Sequence, residues 1–86
     1  MTDDYNLGTL AFSKAGHDKG ELFFIVKAEA ENVYLADGKF RKLENPKKKN
    51  KKHIQPVFKI KETFTLPVTN ESVKRYIKIY KQEHDL

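Results

Sequence analysis

The residues with the clearest chemical potential are the basic ones in the middle of the chain. Residues 39–61 hold ten Lys or Arg residues and one acidic residue, whereas the whole chain carries a net charge of only +5. Each cation that neutralises a phosphate releases condensed counterions, which is a main source of affinity for a polyanion. This concentration of charge predicts a polyanion-binding surface. Its candidate residues are Lys39, Arg41, Lys42, Lys47, Lys48, Lys49, Lys51, Lys52 and His53.

The lysine run itself, PKKKNKK at residues 46–52, is open to other interpretations. A run of like charge is often only a solvated, flexible loop. The run also matches the short patterns of nuclear import signals, and the same cations would suit an acidic protein or an anionic membrane surface. The excess of basic over acidic residues favours polyanion binding over a merely solvated loop or an import signal, and it leaves an acidic protein and a membrane headgroup open as targets.

A second group of polar residues lies between residues 14 and 20. Lys14, His17 and Lys19 can donate hydrogen bonds there, and the glycines at positions 16 and 20 permit turn geometry. A neutral His17 would contribute hydrogen bonding or stacking to a ligand, without charge. An ordinary exposed loop histidine is equally consistent with the sequence.

No catalytic or metal-binding pattern is visible. The three histidines, His17, His53 and His84, lack the spacing of a metal site, and there is no cysteine, phosphate-binding loop or nucleophile elbow. We therefore expect a protein that is not an enzyme and needs no cofactor or metal.

Two strands are predicted in the first third of the chain. Residues 8–13 alternate, with Leu10 and Phe12 on one face, and the glycine-containing stretch that follows predicts a loop. Residues 22–28 are apolar on both faces, which predicts a strand in the centre of a sheet.

Asp37-Gly38 predicts a two-residue β-hairpin turn between strands at residues 33–36 and 39–42. In that register Leu35 would face Phe40, and Tyr34 would face Arg41 on the other side. Tyr34 would then either offer a stacking platform for bases or form a cross-strand pair with Arg41 that the C-terminal segment covers.

Residues 47–52 would form an anchored loop, followed by a short strand at residues 53–55 that Pro56 ends. The predicted core residues are Phe12, Phe24, Leu35 and Phe40.

The last third of the chain is predicted to end in a helix. Residues 57–68 favour extended structure only weakly, because the spacing of their apolar residues fits both the two-residue period of a strand and a turn of helix. A helix start is expected at residues 69–71. An apolar stripe follows at helical spacing, which predicts an amphipathic helix docked on the sheet. The stripe consists of Val73, Tyr76, Ile77 and Tyr80.

Length limits what the chain can be. With 86 residues it should form one domain with a small core, which favours a binding module over an enzyme. The N-terminus is acidic without an apolar run, and no stretch approaches the length of a membrane helix. We expect a soluble cytoplasmic protein.

These features together resemble one family. The alternating first strand, the loop SKAGHDKG, the apolar second strand and DGK followed by a basic stretch are similar to KOW domains. The resemblance spans about residues 6–56 and is closest to bacterial KOW-domain RNA-binding proteins, which are similar to ribosomal large-subunit proteins. His17 departs from it, because arginine is expected there.

The resemblance implies a mainly β fold, a five-stranded Src-homology-3-like β-barrel over residues 1–56. Residues 57–86 would add the extended segment and the C-terminal α-helix to the same domain. The resemblance also implies binding to RNA, in particular ribosomal RNA or the ribosome, through residues 14–20 and 39–53. The alternative is a KOW-type module that binds an acidic protein partner in transcription or translation, with the helical stripe as a second contact. We expect neither a membrane nor a small-molecule substrate as a partner.

Overall fold

The computed structural model describes residues 8–59 and 68–85. This part of the chain forms one five-stranded antiparallel sheet and one C-terminal helix. The elements are β1 (Thr9–Ser13), β2 (Leu22–Ala28), β3 (Asn32–Ala36), β4 (Lys47–Asn50), β5 (Ile54–Lys59) and α1 (Asn70–Glu83). None of the helical residues described forms a span long and apolar enough to cross a membrane.

The sheet is curled into a half-barrel. Its strand order is β4-β3-β2-β1-β5, so β4 and β5 are the two edges, yet only a 3₁₀ turn at Lys51–His53 joins them. A flat sheet would separate its edge strands by about 19 Å, because four interstrand spacings of about 4.8 Å lie between them. The chain from Asn50 to Ile54 reaches about 14 Å at most. The short connection therefore requires a curved sheet.

The prediction that residues 22–28 form a central, two-sided strand is confirmed. On one face of β2, Leu22 and Phe24 join Leu10 and the buried residues of α1. On the other face, Phe23 and Ile25 pack in a second cluster. Its remaining members are Ala11, Val33, Leu35 and Ile54.

The C-terminal helix is also confirmed. Thr69 caps it, and Thr69 and Ser72 exchange side-chain and backbone hydrogen bonds in a capping box, which satisfies amides at the helix start. Val73, Ile77 and Tyr80 are buried against the sheet and Tyr76 is half-buried. The stripe therefore belongs to the core of the domain, and a partner could not use it while α1 is docked.

The predicted Asp37-Gly38 hairpin is wrong. The carboxylate of Asp37 accepts hydrogen bonds from the amides of Lys39 and Arg41, both at 2.8 Å, and so organises a local turn that competes with strand pairing. The chain forms a loop over residues 37–46 and pairs with β3 only afterwards. Leu35 consequently faces Lys47, not Phe40, and Tyr34 faces Lys48, not Arg41.

Three further expectations need correction. The lysine run is not a loop, because residues 47–50 form β4 and residues 51–53 the 3₁₀ turn. Phe40 lies outside the core and is 81% exposed, whereas Phe24 and Leu35 are buried and Phe12 is half-buried. Pro56 does not end its strand, since β5 is an edge strand that tolerates proline and continues through Lys59. Residues 60–67, part of the segment with the weak preference for extended structure, lie outside the described residues.

Asn70 fixes the 37–46 loop to the start of α1. Its side-chain oxygen accepts a hydrogen bond from the amide of Leu43, and its side-chain nitrogen donates to Glu44, both at 2.8 Å. Gly38 is buried at the same contact, with a φ of +80°. A β-carbon at position 38 would overlap the backbone oxygen of Asn70. The loop therefore sits as close to α1 as its backbone allows.

The contact at Gly38 predicts the effect of Gly38→Ala. The matched control is Gly20→Ala, because Gly20 also has a positive φ but has nothing within 4 Å of a β-carbon. The control should lose about 1–2 kcal/mol of the free energy of unfolding through backbone strain alone. Gly38→Ala should lose about 1–3 kcal/mol more through overpacking. Urea unfolding of the two variants tests this, and equal losses would contradict the close contact.

Candidate nucleic-acid interface

Strand alternation divides the lysine run into two sets. Lys47 and Lys49 pair with Leu35 and Val33, so their side chains share the face of the sheet that carries the second core cluster. Lys48 pairs with Tyr34 and points to the opposite face. Neighbouring lysines in the sequence therefore have different surroundings and different roles.

Lys49 is half-buried in a site that satisfies its ammonium group. Its Nζ donates to Asp18 Oδ1 at 2.5 Å, to Ser13 Oγ at 2.6 Å and to the backbone oxygen of Ala15 at 2.8 Å. An ammonium group has three protons, and each has an acceptor here. The side chain is only 10% exposed. Lys49 is therefore part of the structure and cannot meet a ligand without breaking this site.

Asp18 is the centre of the same cluster. Its second oxygen, Oδ2, accepts a hydrogen bond from Lys47 Nζ at 2.6 Å, and Ser13 donates to Oδ1 at 2.6 Å. Burial alone would raise the pKa of Asp18, but the hydrogen bonds from Lys47, Lys49 and Ser13 outweigh it and hold the pKa well below its usual range. The first loop is thereby tied to β4 by a carboxylate that stays ionised.

Asp18 is the residue that sequence reasoning missed, because beside His17 it has the pattern of an ordinary loop residue. A usable signal is present in the sequence, because the lysines at 47 and 49 stand two residues apart, as side chains on one face of a strand do. Two inward-facing lysines need a counter-charge, and Asp18 is the acidic residue of the predicted loop.

Most of the remaining predicted cations are exposed. These exposed cations form no ion pair with another residue in the ranges 8–59 and 68–85. They are Lys14 and Lys19 in the first loop, Lys39, Arg41 and Lys42 in the 37–46 loop, Lys48 in β4 and Lys52 in the 3₁₀ turn. Lys51 and His53 are half-buried, and the backbone oxygen of His53 accepts a hydrogen bond from the amide of Lys14 at 2.7 Å.

One groove joins the two predicted binding segments. His17 of the first loop, Arg41 of the 37–46 loop and Lys47 of β4 line a common depression of about 290 Å³. Phe23 and Phe40 contribute apolar surface to it, and the carboxylates of Asp18, Glu21 and Asp37 complete its lining. The fold therefore brings together residues that lie up to 30 positions apart in the sequence.

Tyr34 lies between two lysines on the outer face of the sheet. Lys27 Nζ lies 5.7 Å from the centroid of its ring, and Lys48 is its partner on β4. The hydroxyl donates to Glu29 Oε1 at 3.1 Å, and this hydrogen bond raises the pKa of Tyr34. The ring is half-buried and does not belong to the cluster beneath α1. The predicted pairing with Arg41 is absent, but a tyrosine flanked by cations remains.

Within the described ranges, no group of three or more His, Asp or Glu side chains could hold a metal ion. The acidic residue at the centre of the candidate interface, Asp18, is already bound by two lysines. The interface offers cations, aromatic rings and hydrogen-bond donors, which are the groups that recognise phosphates and bases.

Removal of the Asp18 charge should destabilise the domain. Asp18→Asn leaves Lys49 without its counter-ion, and we expect the free energy of unfolding at pH 7 to fall by about 2–3 kcal/mol. The pKa of Asp18 is lower in the folded than in the unfolded state, so this stabilisation is present above about pH 4. Below that pH it should be lost at about 1.4 kcal/mol per pH unit. Urea unfolding at pH 3–7 measures the difference between wild type and variant.

The matched control is Glu83→Gln, which removes an exposed carboxylate near the end of α1. It should change the free energy of unfolding by less than about 0.5 kcal/mol at every pH. An Asp18→Asn variant as stable as wild type at pH 7, or a difference that stays constant down to pH 3, would contradict the role given to Asp18.

Comparison with models of known protein families found no match for this chain, and comparison with curated proteins found no relative.

Proposed function

We propose that this chain is a non-enzymatic RNA-binding protein of the KOW type, whose target is structured RNA, in particular ribosomal RNA. The observation that carries the proposal is that seven cations of the two candidate segments are exposed and form no ion pair with the residues that the structure describes. The residues come from the two segments that the KOW resemblance singles out for RNA contact. Phosphate contacts would supply most of the affinity, and RNA shape the selectivity.

The strand order supports the barrel type named in this proposal. Four strands follow one another as a meander, a 3₁₀ turn comes next, and the fifth strand pairs with the first. Src-homology-3-like barrels have a similar connectivity. The first loop, between β1 and β2, is one of the two segments to which the KOW resemblance assigns RNA contact.

The charge distribution supports RNA as the ligand. Lys48 and Lys52 project from β4 and the turn, while Lys47 and Lys49 are held by Asp18. The cations that remain for a ligand are therefore carried by a rigid sheet edge and by anchored loops. Cations carried by an ordered backbone lose less backbone conformational entropy on binding than cations on a flexible loop would.

Binding to a structured ribosomal RNA fragment should depend strongly on salt. Fluorescence anisotropy at several salt concentrations should show log K falling linearly with log salt. Arg41→Gln, Lys48→Gln and Lys52→Gln should each weaken binding and reduce the slope by about 0.7–0.9 for each phosphate that is no longer neutralised. Lys47 and Lys49 are not suitable for this test, because their substitution would also disturb the Asp18 cluster.

Arg75→Gln is the matched control, since it removes one exposed charge from α1 outside the groove. It should leave the slope nearly unchanged. The proposal fails if no RNA binds at low salt, or if Arg75→Gln weakens binding as much as the other three variants do. A partner protein that stays bound in a pull-down after ribonuclease treatment would instead favour an acidic protein as the ligand.

A further inference from the structure

Phe40 is an exposed aromatic residue on an anchored loop. Among the described residues three large hydrophobic side chains are exposed, and Phe40 at 81% exceeds Ile79 at 43% and Val57 at 37%. Burial of a phenylalanine side chain is worth about 1.5–3 kcal/mol, so an exposed ring gains substantially from a ligand that covers it.

The backbone that carries Phe40 is held in place on both sides. Asp37 accepts hydrogen bonds from the amides of Lys39 and Arg41, which flank Phe40 in the sequence. Asn70 of α1 holds the loop again at Leu43. The exposure of Phe40 therefore belongs to a defined loop conformation, and little backbone entropy remains to be lost when a ligand binds.

A basic groove lies beside the ring. It measures about 620 Å³ and runs between the 37–46 loop and α1, with apolar surface from Leu22 and Ile77. Its cations are Lys39, Lys74, Lys78 and Lys81. The three helical lysines are spaced four and three residues apart, so they share one face of α1.

The charges in this groove favour an anionic ligand. Lys74 forms an ion pair with Glu71 at 2.8 Å, whereas Lys78 and Lys81 form none with the residues that the structure describes. The acidic residues of the lining are Glu21 and Asp37, and the Oδ1 atom of Asp37 already accepts two backbone hydrogen bonds. Cations therefore exceed acidic groups along the groove.

An aromatic ring and a row of lysines together suit one kind of ligand better than others. An acidic peptide or an inorganic anion would use the lysines without the ring. A nucleotide in single-stranded RNA has a base that stacks on an aromatic ring and a phosphate that binds ammonium groups. A base in a duplex is already stacked and paired, so an unpaired nucleotide fits best.

We propose that the groove between α1 and the 37–46 loop binds an unpaired nucleotide of RNA, with the base stacked on Phe40 and its flanking phosphates on Lys78 and Lys81. This inference rests on the proposed RNA-binding function. It adds a second contact region, which shares Phe40 with the groove that holds His17, and assigns it to unpaired bases. Lys39, whose Nζ lies 5.1 Å from the ring centroid, adds positive charge beside the stacked base.

The test measures binding of a uridylate hexamer at low salt to the full chain and to variants at position 40. Phe40→Ala should weaken binding about 5- to 150-fold, because stacking on one aromatic ring contributes about 1–3 kcal/mol per base. Phe40→Tyr should bind within about twofold of wild type. The control is Ile79→Ala, which removes an exposed apolar side chain on α1 instead of the one on the loop. This variant should bind the hexamer as wild type does. In NMR spectra, the ring protons of Phe40 should shift upfield when the hexamer is added.

Inorganic polyphosphate separates charge from stacking. It should bind wild type and Phe40→Ala equally, because it has phosphates and no bases. Equal binding of the hexamer to wild type and Phe40→Ala would overturn this inference alone if structured RNA still binds. An acidic peptide that shows the same dependence on Phe40 would also overturn it. Failure of every RNA to bind the wild-type chain would overturn both this inference and the proposed function.

Discussion

The pairing of Asp18 with Lys47 and Lys49 is the interaction on which the arrangement of the basic surface depends. It joins residues about 30 positions apart and connects the first loop to the edge strand β4. Lysine is a poor strand former, and β4 contains three of them in four residues. The strand forms in this register because its inward lysines have a carboxylate, a hydroxyl and a backbone oxygen to bind. One acidic residue thus determines which lysines remain for a ligand.

The second constraint is the attachment of the 37–46 loop to α1. The contacts of Asn70 and the close approach at Gly38 place this loop against the helix. The core formed by β1, β2 and α1 holds the helix itself. Burial of apolar surface therefore positions α1, α1 positions the loop, and the loop presents Phe40 between two grooves. The aromatic and basic groups of the interface are therefore fixed by the buried core beneath α1 and by the contacts between α1 and the loop.

The elements with a strong local pattern could be predicted from the sequence. The two-sided apolar run predicts the central strand β2, and the polar cap followed by a helical stripe predicts α1. Prediction fails where a competing local turn or distant residues decide the structure. Asp37-Gly38 favours a hairpin locally, but hydrogen bonds to the Asp37 side chain and the contact with Asn70 produce a longer loop. For the same reason the local pattern predicts a loop for the lysine run and a core position for Phe40, since neither Asp18 nor α1 is visible in it.

The central claim is that neighbouring lysines of β4 lie on opposite faces of the sheet, with Lys48 exposed to solvent and Lys49 bonded to Asp18. The reactivity of their amino groups measures this difference most directly. Brief treatment of the folded protein with an amine-acylating reagent, followed by mass spectrometry of peptides, gives the modification rate of each lysine. The account predicts fast modification of Lys48 and Lys52 and slow modification of Lys49, whose ammonium group is buried and bonded to Asp18. Equal rates for these three lysines would show that residues 47–52 form a solvated loop and would contradict the account.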